Sequence, residues 1–405
     1  MNRKILFVFL VALALRLMYV MLIPQIGIAR DADVYRIIAG NIAQYHAYLG
    51  IDGKPDVFWA PGYPLFISAI YMLFGIDNLS AVRIIQAVLS ALMVFPVYFI
   101  CARVFDQKIG IIAAIITCVY PGFIGYSGMI LPQLLIAFLL TVFMWLIIRP
   151  QFNVLSDVVL GLMAGYSALT RPELILFYLL ILIIIPFAAR PKCLSVKRAL
   201  LILVVMCSVI SIWSVRNYAL FGKFIPVSIH SGDTLWISTW KEEWLEWQEK
   251  EPYISLGKGK GPIEASEAYF RAGIDNIKDH PFIYLKMCTK RLYRLWLTGH
   301  SNAFSFMNGS IKDYFINRQY AVFFIKLTLL LFNVSITIIG FLGIAKVYHI
   351  LKDRRDLILL LVSPIIFAVV FHFFIYATPR YAIPEMSFMI VFASAFINYR
   401  LFKKC

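Results

Sequence analysis

The chain reads as an all-α polytopic membrane protein: a bundle of about ten transmembrane helices carrying further helices at an outer surface. Three features point there. Of its 405 residues 61% are hydrophobic and 15% charged, where soluble domains carry ~25% charge. Several apolar runs approach the ~20 residues a helix needs to cross a bilayer, and their continuity excludes the alternating pattern of a membrane barrel. Basic residues collect between alternate runs, so the net charge of +16 reports topology and not a nucleic-acid partner.

Taken in order, Arg3 and Lys4 precede a first span over 5–23, read as retained because it lacks an A-x-A cleavage pattern. An external loop, 24–79, follows and holds a polar island from Ala29 to Pro64. Residues 62–75 are too short to cross comfortably, so they are expected to lie at the outer surface, with span two at 80–102. Five more spans are expected at about 109–125, 130–148, 155–170, 173–189 and 199–215. A polar region, 216–318, comes next, with the tryptophans Trp236, Trp240, Trp244 and Trp247 and an amphipathic basic helix from Ile283 to Leu297. The final spans are placed at about 319–345, 356–377 and 385–401, which leaves both termini cytoplasmic. Three units result: 1–215, the external loop 216–318 and 319–405. Inner segments then hold Arg149, Arg190, Lys192, Lys197, Arg198, Lys346, Lys352, Arg354, Arg355, Lys403 and Lys404.

Six cysteines make no disulfide framework: Cys101, Cys118 and Cys207 lie in apolar runs, Cys193 and Cys405 in basic inner segments, and just Cys288 outside. No CxxC or HExxH motif signals a metal.

Under this topology Asp31, Asp33, Arg83, Gln133, Arg171, Arg216, Asn217, Arg380 and Tyr381, far apart in sequence, all sit at outer ends. Ionisable groups beside spans are costly and face a protein interior or a water cavity, although snorkelling explains many single arginines. Several on one face suggest a shared chamber for an anion. Asp31 and Asp33 are two apart and do not share a helical face, so either one reaches the chamber while the other caps a helix starting near Val34, or both are simply acids at a helix N-terminus.

Particular stretches carry a resemblance. Asp31-x-x-x-Tyr35, Ala39, Asn41, Phe58-x-Ala60-Pro61-Gly62-Tyr63-Pro64 and Leu73-Phe74-Gly75 resemble the first external loop of the glycosyltransferase family 39 group. That group comprises polyprenyl-phosphate-sugar-dependent transferases of the GT-C fold, related to protein O-mannosyltransferases and aminoarabinose transferases. Trp213-x-x-Arg216-Asn217-Tyr218, Gly222-Lys223-Phe224-x-Pro226, Ser231-Gly232-Asp233 and Pro379-Arg380-Tyr381-x-x-Pro384 match further along, in the expected order. Three positions depart from the pattern. Ala32 stands where many members have Glu, Trp59-Ala60-Pro61 replaces an acid followed by Lys-Pro, and Pro132-Gln133 replaces Pro-Glu. An acid-liganded divalent metal is therefore unsupported, no other cofactor is indicated, and an aminoarabinose transferase is disfavoured.

The resemblance implies transfer of a sugar from a polyprenyl-phosphate-linked donor to an acceptor hydroxyl, with inversion, on the extracytoplasmic face of the inner membrane. The acceptor is a glycan, lipid or protein. A base must take the acceptor's proton, which assigns Asp31, with Asp33 as substitute. Cationic donors must meet the leaving phosphate: Arg216 and Arg380 first, then Arg83 and Arg171, with Asn217, Tyr381, Tyr35 and Arg16 around them. Arg16 either snorkels outwards or lines the lipid groove. Asp233, His230 and Tyr63 are assigned to sugar or acceptor contact. The rivals are a lipid-linked sugar transporter, which would want a midplane site between paired halves, and a non-catalytic member of the fold.

Overall fold

The computed structural model describes residues 3–23, 30–149, 153–184, 186, 194–239, 255–304, 307 and 309–401. The first half runs α1 (Arg3–Leu22), α2 (Arg30–Tyr45), α3 (Gly62–Phe74), α4 (Leu79–Leu92), α5 (Val94–Val104), α6 (Gln107–Val119), α7 (Pro121–Ser127), α8 (Gln133–Ile147), α9 (Val154–Thr170), α10 (Leu174–Leu179) and α11 (Val196–Phe221). Then follow α12 (Ser231–Thr239), α13 (Pro262–Asp279), α14 (Pro281–Trp296), α15 (Ile311–Ile316), α16 (Tyr320–Ile350), α17 (Arg355–Phe374) and α18 (Met386–Leu401). No strand occurs among the described residues.

The expected spans coincide with helical segments, two of them divided: 80–102 covers α4 and α5, and 109–125 covers α6 and α7, while 185 and 187–189 of the span expected at 173–189 lie outside the described residues. Five helical stretches are long and apolar enough to cross a membrane: α1, Leu79–Val104, α11, α16 and Lys352–Phe374. A sixth is added if α6 and α7 form one span, bent by 44° where Pro121 interrupts the ladder. The segments Gln133–Ile147, Val154–Thr170, Leu174–Ile183 and Met386–Tyr399 are shorter apolar helices, as is α3. The chain is a multi-pass membrane protein.

Polar side chains punctuate the apolar runs. Asn78, Asp106 and Asn153 accept from Ala81 N, Ile109 N and Ser156 N at 3.1, 2.8 and 2.6 Å and so start α4, α6 and α9. Gly222, at φ 65°, ends α11 in the left-handed conformation that glycine tolerates best.

Small residues set the packing. On α9, Gly161 and Gly165 lie against α11, and a Cβ on them would come within 2.5 Å of Val205 and 2.6 Å of Val209. This spacing lets two membrane helices approach closely, where apolar side chains have little reason to prefer each other over lipid. Gly340 and Gly343 do the same for α16 against α18.

Some boundaries differ from expectation. Helix α2 starts at Arg30 and not near Val34, so Asp31 and Asp33 both occupy its first turn and neither is a cap. Negative charge there complements the helix dipole. The last helix starts at Met386, which leaves Glu385 in the turn ahead of it. Arg198, placed in an inner segment from sequence, is buried against Asp157 at 2.7 Å, joining the starts of α9 and α11. Trp240, Trp244, Trp247, Arg190, Lys192, Cys193, Lys403, Lys404 and Cys405 lie outside the described residues.

Candidate active site

Four segments converge on one polar cluster. Helix α2 brings Asp31 and, one turn on, Tyr35. The turn between α9 and α10 brings Arg171 and Glu173, the 3-10 turn Pro379–Ala382 brings Arg380 and Tyr381, and the loop before α12 brings His230.

At its centre Arg380 Nη2 donates to Asp31 Oδ2 at 2.6 Å, across 349 positions of sequence. Both side chains remain reachable, 22% exposed for Arg380 and 30% for Asp31. Burial alone would lower the pKa of Arg380; Tyr381 and the Asp31 carboxylate more than reverse that and hold the guanidinium charged. Arg380 Nε, which is buried, has no hydrogen-bond partner among the described residues. Arg171 pairs with Glu173 and lies 4.3 Å above the Tyr381 ring. His372 of α17 also stacks on Tyr381, with centroids 5.2 Å apart and planes at 13°. Tyr381 is thereby fixed as a platform.

Aromatics wall the other side. Tyr35 meets Trp59 edge-on at 5.3 Å and Tyr63 at 5.1 Å, and Tyr63 donates to Gln86 at 2.8 Å. Burial, with the Asp31 charge adding to it, pushes the Tyr35 phenol well up, so it stays a neutral donor. His230 stacks on Trp59 at 5.3 Å and meets Phe58 edge-on at 4.7 Å. Its Nδ1 is buried without a partner among the described residues. Burial pushes its pKa down, against the pull of Asp31 and Glu173.

Other residues named from sequence stand apart. Asp33 turns away, 53% exposed, and pairs with Arg36 at 3.1 Å; Arg36 also reaches Asp77 at 2.9 Å. Arg216 donates to the carbonyls of Asp56 (2.6 Å) and Tyr48 (3.1 Å) and packs over Trp213, so it fastens the loop ahead of α3 to the end of α11. Asn217 donates to Ile225 O and Val227 O, 3.0 and 3.2 Å away. Arg83 donates to Ile23 O at 2.6 Å and Gly128 O at 3.1 Å. Arg16 neither snorkels nor lines a groove. It is fully buried and donates to Ser90 Oγ, Ala12 O, Cys118 O and Thr117 O at 2.8–3.0 Å. Asp233 is buried in α12.

Two members escaped the sequence reading. Glu173 and Glu385 are not among the residues put forward from sequence. The signal for both was an acid beside proline next to a span. Glu385 is 6% exposed and its Oε2 has no partner among the described residues. Gln133, also buried with a partnerless Oε1, is flanked by Ile130 and Leu135, which pack with Ala32 beside Asp31.

Residues 55–214 match the family model described as "Dolichyl-phosphate-mannose-protein mannosyltransferase". The oligosaccharyltransferase AglB of Archaeoglobus fulgidus, solved with an inhibitory peptide and a dolichol-phosphate, superposes over 97% of this chain and 50% of its own, with a TM-score of 0.58 and 15% identity. The fold is GT-C. The apo form of the same oligosaccharyltransferase superposes over 98% of this chain and 51% of its own, with a TM-score of 0.57 and 14% identity. ArnT from Cupriavidus metallidurans, bound to undecaprenyl phosphate, aligns over 98% of this chain and 75% of its own, with a TM-score of 0.45 and 14% identity. The chain spans about half the length of the archaeal GT-C chains it matches. No curated protein sequence matches it.

A divalent metal, which the fold raises, meets a poor donor set here. Among the described residues no three His, Cys, Asp or Glu side chains group as ligands. Asp31 and Glu173 are each already opposed by a guanidinium, which would repel a dication.

Proposed function

We propose that the protein is a membrane glycosyltransferase that moves a sugar from a polyprenyl-phosphate-linked donor to an acceptor hydroxyl at the extracytoplasmic face, with inversion. The Asp31–Arg380 pair carries this reading: a carboxylate and a guanidinium, half-open to solvent, at the meeting of α2 and the turn before α18. The GT-C fold and the family match over 55–214 support it.

Arg380 is an anion's partner already holding an anion. A donor phosphate competes for it, takes its fork, and frees the Asp31 carboxylate to accept a proton. The acceptor oxygen then attacks the anomeric carbon from the face opposite the phosphate. The new C–O bond forms as the bond from the anomeric carbon to the phosphate oxygen breaks. The hydroxyl proton passes to Asp31, and the lipid phosphate departs carrying the electron pair. Arg380 and Arg171 face the charge that develops on it. Tyr35, held neutral, and the rings of Trp59 and Tyr381 provide donor and apolar surface for a sugar.

The test is transfer by the purified protein in vesicles supplied with polyprenyl-phosphate sugars and hydroxyl acceptors. Asp31→Asn is expected to lower the rate ~10²–10⁴-fold. Unchanged transfer by that variant would remove the base. Movement of a fluorescent lipid-linked sugar across the bilayer, without transfer, would establish the transporter instead.

A further inference from the structure

Glu385 is a carboxyl group in the wrong place. It sits in the turn between Ala382 and α18, 6% exposed, its Oε2 partnerless among the described residues. Its backbone N donates to Ala382 O at 3.2 Å, so it is rigidly joined to the turn that carries Arg380 and Tyr381. From the facing turn, Arg171 and Glu173 lie within electrostatic reach of it. Tyr381, beneath Arg171, His372, beyond Tyr381, and Arg380 of the same turn are the further titratable and charged groups of this neighbourhood among the described residues. Arg171 thus already has one acidic partner, Glu173, and a second negative charge beside it would cancel the charge it offers to a phosphate.

Resting on the donor reading above, we propose that Glu385 is a positioning residue that works as the neutral acid, leaving Arg171 with one opposed carboxylate and so with charge free for the lipid phosphate. Burial, which outweighs the pull of Arg171, pushes its pKa up to about 8 and keeps it protonated at neutral pH. The sign follows. As pH rises through about 8 the proton leaves, a second negative charge appears beside Arg171, and affinity for an anion falls. By linkage, binding an anion above that pH draws a proton back onto the protein.

The experiment measures binding of undecaprenyl phosphate to the full-length protein in detergent at pH 7 and pH 9, for the wild type, Glu385→Gln and Glu385→Asp, with thermal melting of each as a folding control. The lipid's own second ionisation, near pH 6, is common to all three and is almost complete at pH 7. The wild type is expected to lose affinity about tenfold between the two pH values. Glu385→Gln, a neutral isostere, is expected to bind as tightly as the wild type at pH 7 and to keep that affinity at pH 9. Glu385→Asp should retain the pH dependence. In transfer assays the alkaline loss should enter through the donor KM and leave kcat within a few-fold. Equal pH dependence in wild type and Glu385→Gln would overturn the proposal and leave the donor reading standing. Absence of binding at pH 7 in every folded form would overturn both.

Discussion

Arg380 and Asp31 meet at 2.6 Å with both side chains still partly exposed, and this combination marks a pair meant to be opened. A sealed ion pair is costly to break, whereas an exposed one contributes little to stability. Asp31→Asn is therefore expected to cost activity and leave the melting temperature within ~2 °C. Asp33→Asn, which touches the exposed Arg36, is expected to keep transfer within a few-fold. Parallel melting and transfer assays check both. His230 offers a pH test. Burial pushes its pKa below the ordinary value of about 6.5, so it is neutral at pH 7 and gains charge just in acid. A cation there would oppose Arg380 and attract Asp31. Transfer should fall as pH drops into the acid range where His230 takes up a proton, and His230→Gln should lose that acid limb in a rate profile. Of the arginines the sequence put forward, Arg380 and Arg171 enter the cluster, while Arg216, Arg83 and Arg16 bind backbone carbonyls. A sequence displays charge near a span, but not which carbonyls a helix end leaves unmet, and that decides which arginines are used up.

Helix positions were legible because the spans are apolar runs, long in α1, α11 and α16 and shorter in α8 and α9, several with a charged or capping residue at the edge. Their partners were less so, because glycine contacts need two helices to be read together. Helices α9 and α11 illustrate this, with Gly161 and Gly165 seating Val205 and Val209, and Asp157 bonding Arg198 at the same ends. Removing one partner from a buried pair leaves a charge without compensation, at a cost of ~3–5 kcal/mol. Asp157→Leu is expected to lower the melting temperature in detergent by several degrees. Replacing both residues by apolar ones, Asp157→Leu with Arg198→Met, should recover most of it. Gly165→Leu has no such rescue, since its Cβ would lie against Val209.

On the scale of the whole chain, the apolar helices form one bundle whose polar cluster is assembled from residues 31 to 385. Positive charge at alternate loops makes the side of that cluster a sequence expectation with a direct check. Single cysteines at Asp33 and at Arg354, in a chain otherwise free of cysteine, should react differently with an impermeant maleimide: Asp33→Cys in intact cells, Arg354→Cys after permeabilisation. The opposite pattern would invert the topology. Arg16 carries a separate consequence, for biogenesis. Its guanidinium, wholly enclosed, has one acceptor in its own helix, Ala12 O, and finds the other three on Ser90, Thr117 and Cys118, all of which leave the ribosome long after the first span does. An arginine well inside a span costs the translocon ~2–3 kcal/mol or more. The nascent first helix must therefore wait in the insertion machinery, or beside a chaperone, until its later companions arrive, and Arg16→Leu should let it partition into lipid early and on its own.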